Sequence, residues 1–197
     1  MEKQLALFDF DGTITTKDTL LEYMSFCRGT IGALWVFLRL IPHAILFALK
    51  RINNQEFKER YLKLSFSGAS EAELKEKAEK FTRTRLQKLI RPKALERIDW
   101  HRLRGHRIVI VSASTDLWLK PWCDQMELEL ISSKLEVIDG KLTGKIDGLN
   151  CRGPQKVVRI KEEIDTESYE KTYAYGDSSG DKEMLEFADD GQYRPFE

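Results

Sequence analysis

Asp9 and Asp11 stand two residues apart at the end of a short apolar run, Leu5-Ala6-Leu7-Phe8, and are followed by Gly12 and Thr13. Two carboxylates at that spacing can divide labour, one as nucleophile or metal ligand and the other as proton carrier. Gly12 lets the backbone turn sharply and approach a ligand closely. A strand ending in a solvated Asp-Gly turn is common, so the pair gains meaning only from what the rest of the chain brings beside it. Three later segments supply candidates. Ser112 follows Ile108-Val109-Ile110-Val111, Lys156 lies just inside a helical segment, and Asp177 and Asp181 bracket Ser178-Ser179-Gly180. Several carboxylates beside one lysine and one hydroxyl repel one another unless a cation joins them. A hard divalent ion with few protein ligands and several waters is Mg2+ behaviour. Such a site suits a phosphoryl group, whose equatorial oxygens are neutralised while a carboxylate attacks in line.

These groups converge only if they end strands of one parallel sheet, the edge at which open α/β folds gather their polar residues. The hydrophobic pattern predicts such a sheet. Leu5–Phe8 and Arg107–Val111 are continuous apolar runs, the mark of strands buried on both faces. Ser112-Ala113-Ser114-Thr115 then opens a helix near Asp116, with Ser114 read as its cap. A strand over Leu128–Ser132 and a hairpin of Leu135–Ile138 with Lys141–Thr143 around Asp139-Gly140 follow. Gly153-Pro154 starts the helix that carries Lys156. Thr172–Tyr175 is the next strand, a helix holds Met184, Leu185 and Phe187, and Gln192–Arg194 is a last short strand.

Between the first two strands the pattern is entirely helical. Asp18 caps a helix through Cys27, and Gly29 and Gly32 punctuate it. A helix follows from about Gln55 to Leu64, then a charged one from the capping box Ser70-Glu71-Ala72-Glu73 to about Ile90. Arg91-Pro92 marks a boundary before a helix over Lys93–Arg104. The predicted organisation is an α/β core of residues 1–15 and 96–197, with a helical cap of residues 16–95 inserted after strand one.

Lys+Arg and Asp+Glu balance at 32 each, so nothing global points to a nucleic-acid partner. Three cysteines without C-x-x-C spacing read as reduced thiols, and the first strand begins too early to leave room for a signal peptide. Both predict a cytoplasmic protein. The apolar stretch Ala33–Leu49 leaves membrane association open. Arg39, Pro42 and His43 interrupt it, and a centred arginine is costly in lipid, which argues against a transmembrane span. It is then either a buried helix pair within the cap or a lid touching the bilayer surface. Trp35 and Phe37 near Lys50-Arg51 suit the second. His43, His101 and His106 show no ligand spacing.

Taken together, Asp9-Phe10-Asp11-Gly12-Thr13, Ile108–Ser112, Lys156 and Gly176-Asp177-Ser178-Ser179-Gly180-Asp181 resemble the four ordered motifs of the haloacid dehalogenase superfamily. The helical insert between motifs one and two is similar to that of its phosphoserine-phosphatase-like subfamily IB. The resemblance implies a Rossmann-like parallel sheet and a phosphatase in which Asp9 is the nucleophile. It further implies that Asp11 protonates the leaving group and then activates water, with Thr13 orienting Asp11. Ser112, the following backbone at Ala113, Gly12 and Lys156 would hold the phosphoryl group. Mg2+ would be bound by Asp9, Asp177 and the backbone of Asp11, with Asp181 as ligand or support.

Substrate choice is less legible. Phosphoserine phosphatases usually carry a glutamate after motif one and a cap arginine, and Asp18 and Arg60 stand nearest those positions. The hydrophobic Ala33–Leu49 is instead similar to that of membrane-associated phosphatidylglycerophosphate phosphatases. The partner is therefore expected to be a small or lipid phosphomonoester. A reading of another class is a catalytically inactive binding or regulatory protein of this fold, against which the intact acids and Lys156 argue.

Overall fold

The computed structural model describes residues 3–197. Strand β1 (Gln4–Phe8) lies at the heart of a six-stranded sheet. Its neighbours are β2 (Arg107–Thr115) and β5 (Lys171–Gly176), both parallel to it. Outside β2 come β3 (Glu129–Ile138), also parallel, and the antiparallel β4 (Lys141–Asp147). Beyond β5 lies β6 (Asp190–Tyr193). The order β4-β3-β2-β1-β5-β6 reverses direction beside β1, which is where α/β sheets open a crevice for ligands.

Alternation along the central strands builds two cores. Ala6, Phe8, Ile108 and Ile110 face one side, and Leu5, Leu7, Val109 and Val111 the other, all buried. Helices α6 (Pro154–Glu163) and α7 (Lys182–Phe187) cover the second face through Ile160 and Met184. The first face carries α4 (Pro92–Arg102) and α5 (Asp116–Gln125). It merges with the helical insert, α1 (Thr19–Ala48), α2 (Asn54–Phe66) and α3 (Glu71–Thr84). Tyr23 of α1 stacks on Trp118 of α5 and meets Phe66 and Phe81, so insert and sheet share one apolar core.

Several boundaries differ from those read in the sequence. Helix α3 stops at Thr84, and a 3-10 turn, Leu86–Leu89, takes its place. The cause is pairing of the chain with the segment after β1: Thr16 N–H donates to Leu89 O and Arg91 N–H to Ile14 O, each at 2.8 Å. Ser70 caps α3 by accepting from Glu73 N–H, whereas the full reciprocal capping box belongs to Asn53 and Glu56 at the start of α2. Strand β2 continues through Ser112 to Thr115, and β3 is one strand where a strand and a hairpin arm were expected. Its first half pairs with β2 and its second half with β4.

Gly29 breaks α1 with φ 68° and ψ 177°, a backbone geometry that glycine tolerates, as its position in the pattern suggested. The helix beyond it is not a buried pair. Only Ala33, Val36 and Leu40 are buried there, while Leu34, Trp35 and Ile41 are 58, 63 and 51% exposed. By length and composition α1 is apolar enough to cross a membrane.

Candidate active site

Register brings the acidic residues together. Phe8 pairs with both Ile110 and Tyr175, so the chain leaves β1 beside the end of β5 and two residues short of Ser112 in β2. Asp9 N–H still donates to Tyr175 O at 2.9 Å. Asp9, Asp11, Lys156, Asp177 and Asp181 all line one cavity of about 670 Å3 between the sheet edge and the insert.

Lys156 is the hinge of the electrostatics. Its ammonium, 1% exposed, donates to Asp9 Oδ1 at 2.6 Å, Asp181 Oδ1 at 2.7 Å and Val111 O at 2.6 Å. Burial opposes its charge, but the two carboxylates outweigh burial and hold its pKa above the ordinary lysine value. Asp181 is not the simple helix cap its position allows. Its Oδ2 accepts from the Ser178 N–H at 2.9 Å, the Ser178 hydroxyl at 2.8 Å and the Asp177 N–H at 3.2 Å. Burial raises its pKa, yet Lys156 and these donors overcome burial and keep it below the usual carboxylate value.

Asp9 is pushed up to about 7, by burial first and the charge of Asp181 next, with Lys156 opposing. Asp177 is also raised, by burial and then by Asp181. A carboxylate set raised in this way beside a single lysine is short of positive charge. Asp9, Asp177 and Asp181 each offer an oxygen within 4.8 Å of the others, an oxygen-only donor set of the kind hard cations take. Asp181 is the most heavily engaged of the three, with Lys156 on one oxygen and three donors from Asp177 and Ser178 on the other, so Asp9 and Asp177 are the better candidates to hold a cation.

Gly12 makes this approach possible. At φ +84° a Cβ on it would lie 2.3 Å from Asp177 Oδ2. Thr13 does not orient Asp11 as expected. Its hydroxyl contacts Asp9 Oδ2 at 3.0 Å and Asp177 Oδ1 at 3.2 Å.

Asp11 has a different environment. Thr19 N–H donates to its Oδ1 at 2.6 Å and the Ser114 hydroxyl to its Oδ2 at 2.5 Å. The Thr19 N–H is one of the unpaired donors at the start of α1, so the helix end itself addresses Asp11. Trp118 Nε1 donates to Thr19 Oγ1 at 3.0 Å, which in turn reaches Ser114 Oγ at 3.3 Å. Burial, then the charge of Asp18, pushes Asp11 up to about 6.

Nothing in the sequence pattern marks Ser114 and Thr19 as site residues. Ser114 read as a helix cap, but α5 has no side-chain cap and Ser114 faces Asp11. Ser112 is fully buried and accepts from Ser114 N–H at 3.0 Å, while Ala113 and Ser114 line the cavity. Asp18 lines the cavity mouth and caps α1 by accepting from Leu21 N–H at 3.1 Å. Arg60 is exposed and outside the lining, because it lies on the solvent side of α2. The cation that α2 sends into the cavity is Lys58, two residues earlier.

The family model for haloacid dehalogenase-like hydrolases matches residues 6–186 of this chain. Protein CicA of Caulobacter vibrioides is 37% identical, over 99% of this chain and 87% of that protein. The probable phosphatase Rv3661 of Mycobacterium tuberculosis is 28% identical, over 92% of this chain and 65% of its own length. Among solved structures, a phosphoserine phosphatase captured as a phospho-aspartyl intermediate analogue superposes with a TM-score of 0.63 at 25% identity. It covers 98% of this chain and 86% of its own.

Proposed function

Because the chain belongs to the haloacid dehalogenase-like hydrolases, we propose that it is a Mg2+-dependent phosphomonoester hydrolase working through an aspartyl phosphate on Asp9. The observation that carries this reading is the contrast between two carboxylates from one strand end. Asp9 faces a buried ammonium, whereas Asp11 is held by the neutral donors Ser114 and Thr19. Both acids are raised, Asp9 to about 7 and Asp11 to about 6, so it is their partners and not their order of titration that supports attack by Asp9 and proton transfer by Asp11.

Asp9 attacks phosphorus through a carboxylate oxygen, and the ester oxygen leaves with the proton of Asp11. Asp11, now ionised, takes a proton from a water that cleaves the acyl phosphate and restores both acids. Lys156 and the end of β2 at Ser112–Ser114 offset charge on the phosphoryl oxygens. Asp9, Asp177 and the backbone carbonyl of Asp11 would hold Mg2+, with Asp181 behind them; when bound it supplies the positive charge this acid cluster lacks. Phosphate release with Mg2+ across phosphoserine, polyol, sugar and nucleotide monoesters tests the reading, with Asp9→Asn as blank. Turnover surviving Asp9→Asn removes the covalent route, and inertness toward every ester favours a binding protein of this fold.

A second reading narrows the substrate to a lipid phosphomonoester presented at a bilayer. The exposed apolar side of α1 beyond Gly29 favours it. From Tyr23 to Gln55 the chain carries Arg28, Arg39, Lys50 and Arg51 and no acid, which suits an anionic surface. Leu40, on the buried side of the same helix, lines the cavity, so one helix carries both the exposed apolar face and part of the site wall. Preference for phosphatidylglycerophosphate in mixed micelles over soluble esters supports this reading; preference for phosphoserine returns the helix to a packing role.

A further inference from the structure

Lys58 is a half-buried cation that no catalytic role above uses. It reaches out of α2 and donates to the Ala113 carbonyl and, at 2.7 Å, to Asn150 Oδ1. Burial lowers its pKa to about 8, with Asp11 and Asp18 opposing. Both acceptors belong to the machinery around the site. Ala113 lies between Ser112 and Ser114 in the irregular last stretch of β2, and Asn150 lies in the segment that leads into α6 and Lys156.

The peptide joining Ala113 to Ser114 is fixed from both sides. In a trans peptide the carbonyl and the next N–H point in opposite directions. Here the carbonyl meets the Lys58 ammonium and the N–H meets Ser112 Oγ at 3.0 Å. Ser114 is thereby set so that its hydroxyl reaches Asp11 at 2.5 Å. Asn150 is gripped by the same helix. Its N–H donates to Gln55 Oε1 at 3.2 Å, its Nδ2 to Asn54 Oδ1 at 3.1 Å, and its Oδ1 also accepts from Ser133 at 3.0 Å.

We propose that Lys58 is a positioning residue, a latch by which the helical insert fixes the Ser112–Ser114 end of β2 and, through Ser114, the orientation of Asp11. This rests on the hydrolase reading for its kinetic part only. The insert then does more than cover the cavity. Undocking α2 releases the Ser112–Ser114 end of β2 and the proton carrier together, so chemistry is confined to the docked state.

The test pairs Lys58→Met with Ser114→Ala. Amide hydrogen exchange of Lys58→Met is expected to rise in both 112–116 and 148–152 and to hold in β5. On the best soluble ester, kcat is expected to fall by roughly ten- to a hundredfold, with KM within about threefold of wild type. The double variant is expected to be no slower than Ser114→Ala alone within about twofold, because both act on one hydrogen bond. Independent, multiplying losses overturn the latch, as does unchanged exchange in either segment. A raised KM with kcat held makes Lys58 a substrate ligand and also overturns it. If Lys58→Met does not fold, Asn150→Ser, which weakens the second anchor, is read in the same way. Exchange that rises as expected in a protein inert toward every ester sinks the hydrolase reading and leaves the latch standing.

Discussion

Replacing Gly12 by alanine separates backbone strain from loss of the acid cluster. At φ +84° an alanine occupies the left-handed region, which costs about 1–2 kcal/mol. Its Cβ would also stand 2.3 Å from Asp177 Oδ2, 2.7 Å from Cγ and 2.9 Å from Oδ1. Ordinary contact begins near ~3.5 Å, so Asp177 must retreat by about 1 Å. Displacements of that size near reacting atoms cost on the order of a hundredfold in rate. Gly68 supplies the control, with φ +79° and nothing within 4 Å of its would-be Cβ. Gly68→Ala and Gly12→Ala are expected to lose similar stability in urea titrations. Only Gly12→Ala should lose turnover by about a hundredfold and need more Mg2+ for half-maximal rate. If both variants keep wild-type turnover and Mg2+ dependence, the placement of Asp177 beside Gly12 does not matter to the reaction and the reasoning fails.

Other outcomes follow from the same geometry. Lys156→Met leaves Asp9 and Asp181 without their shared partner and should destabilise the fold by about 3–5 kcal/mol in urea titration; a loss under about 1 kcal/mol contradicts the buried ion pair. His101 is buried between His106 Nδ1 at 2.8 Å and the Tyr175 hydroxyl at 2.9 Å, and burial, then His106, holds its pKa down to about 3. The unfolded chain therefore binds the extra proton, so the His101 contribution is complete above about pH 6.5. It is lost as pH falls toward 3, with a slope approaching about 1.4 kcal/mol per pH unit. The stability difference between wild type and His101→Phe should carry that slope between pH 6 and 4, and a pH-independent difference contradicts it. Trp35→Ser with Leu38→Ser should leave the melting temperature within a few degrees, since both side chains are more than half exposed. The pair should nonetheless reduce co-sedimentation with anionic vesicles severalfold; unchanged binding argues against contact through this face.

The acids were legible in the sequence because each ends an apolar run, and Lys156 because it follows a Gly-Pro helix start at the right place in the order. The partners of Asp11 were not. Thr19 lies eight residues from it and Ser114 103 residues away, and each looked like an ordinary residue of its own helix start. Lys58, Arg60 and Lys63 all sit on one charged helix, and periodicity cannot tell which of them turns inward; tertiary packing selected Lys58. The early end of α3 likewise depends on a pairing of Ile90 with Thr15 that local propensity does not contain. Apolarity made Ala33–Leu49 a helix but did not decide which of its sides would lack a partner.

The central claim is that Asp9 carries the phosphoryl group. The most direct measurement is to incubate Asp11→Asn with Mg2+ and a turned-over ester, quench in acid, and map the modified peptide by mass spectrometry. One phosphoryl group is expected on the peptide containing Asp9, absent from the Asp9→Asn/Asp11→Asn double variant. A phosphoryl group on any other residue contradicts it. So does steady turnover by Asp11→Asn with no covalent adduct.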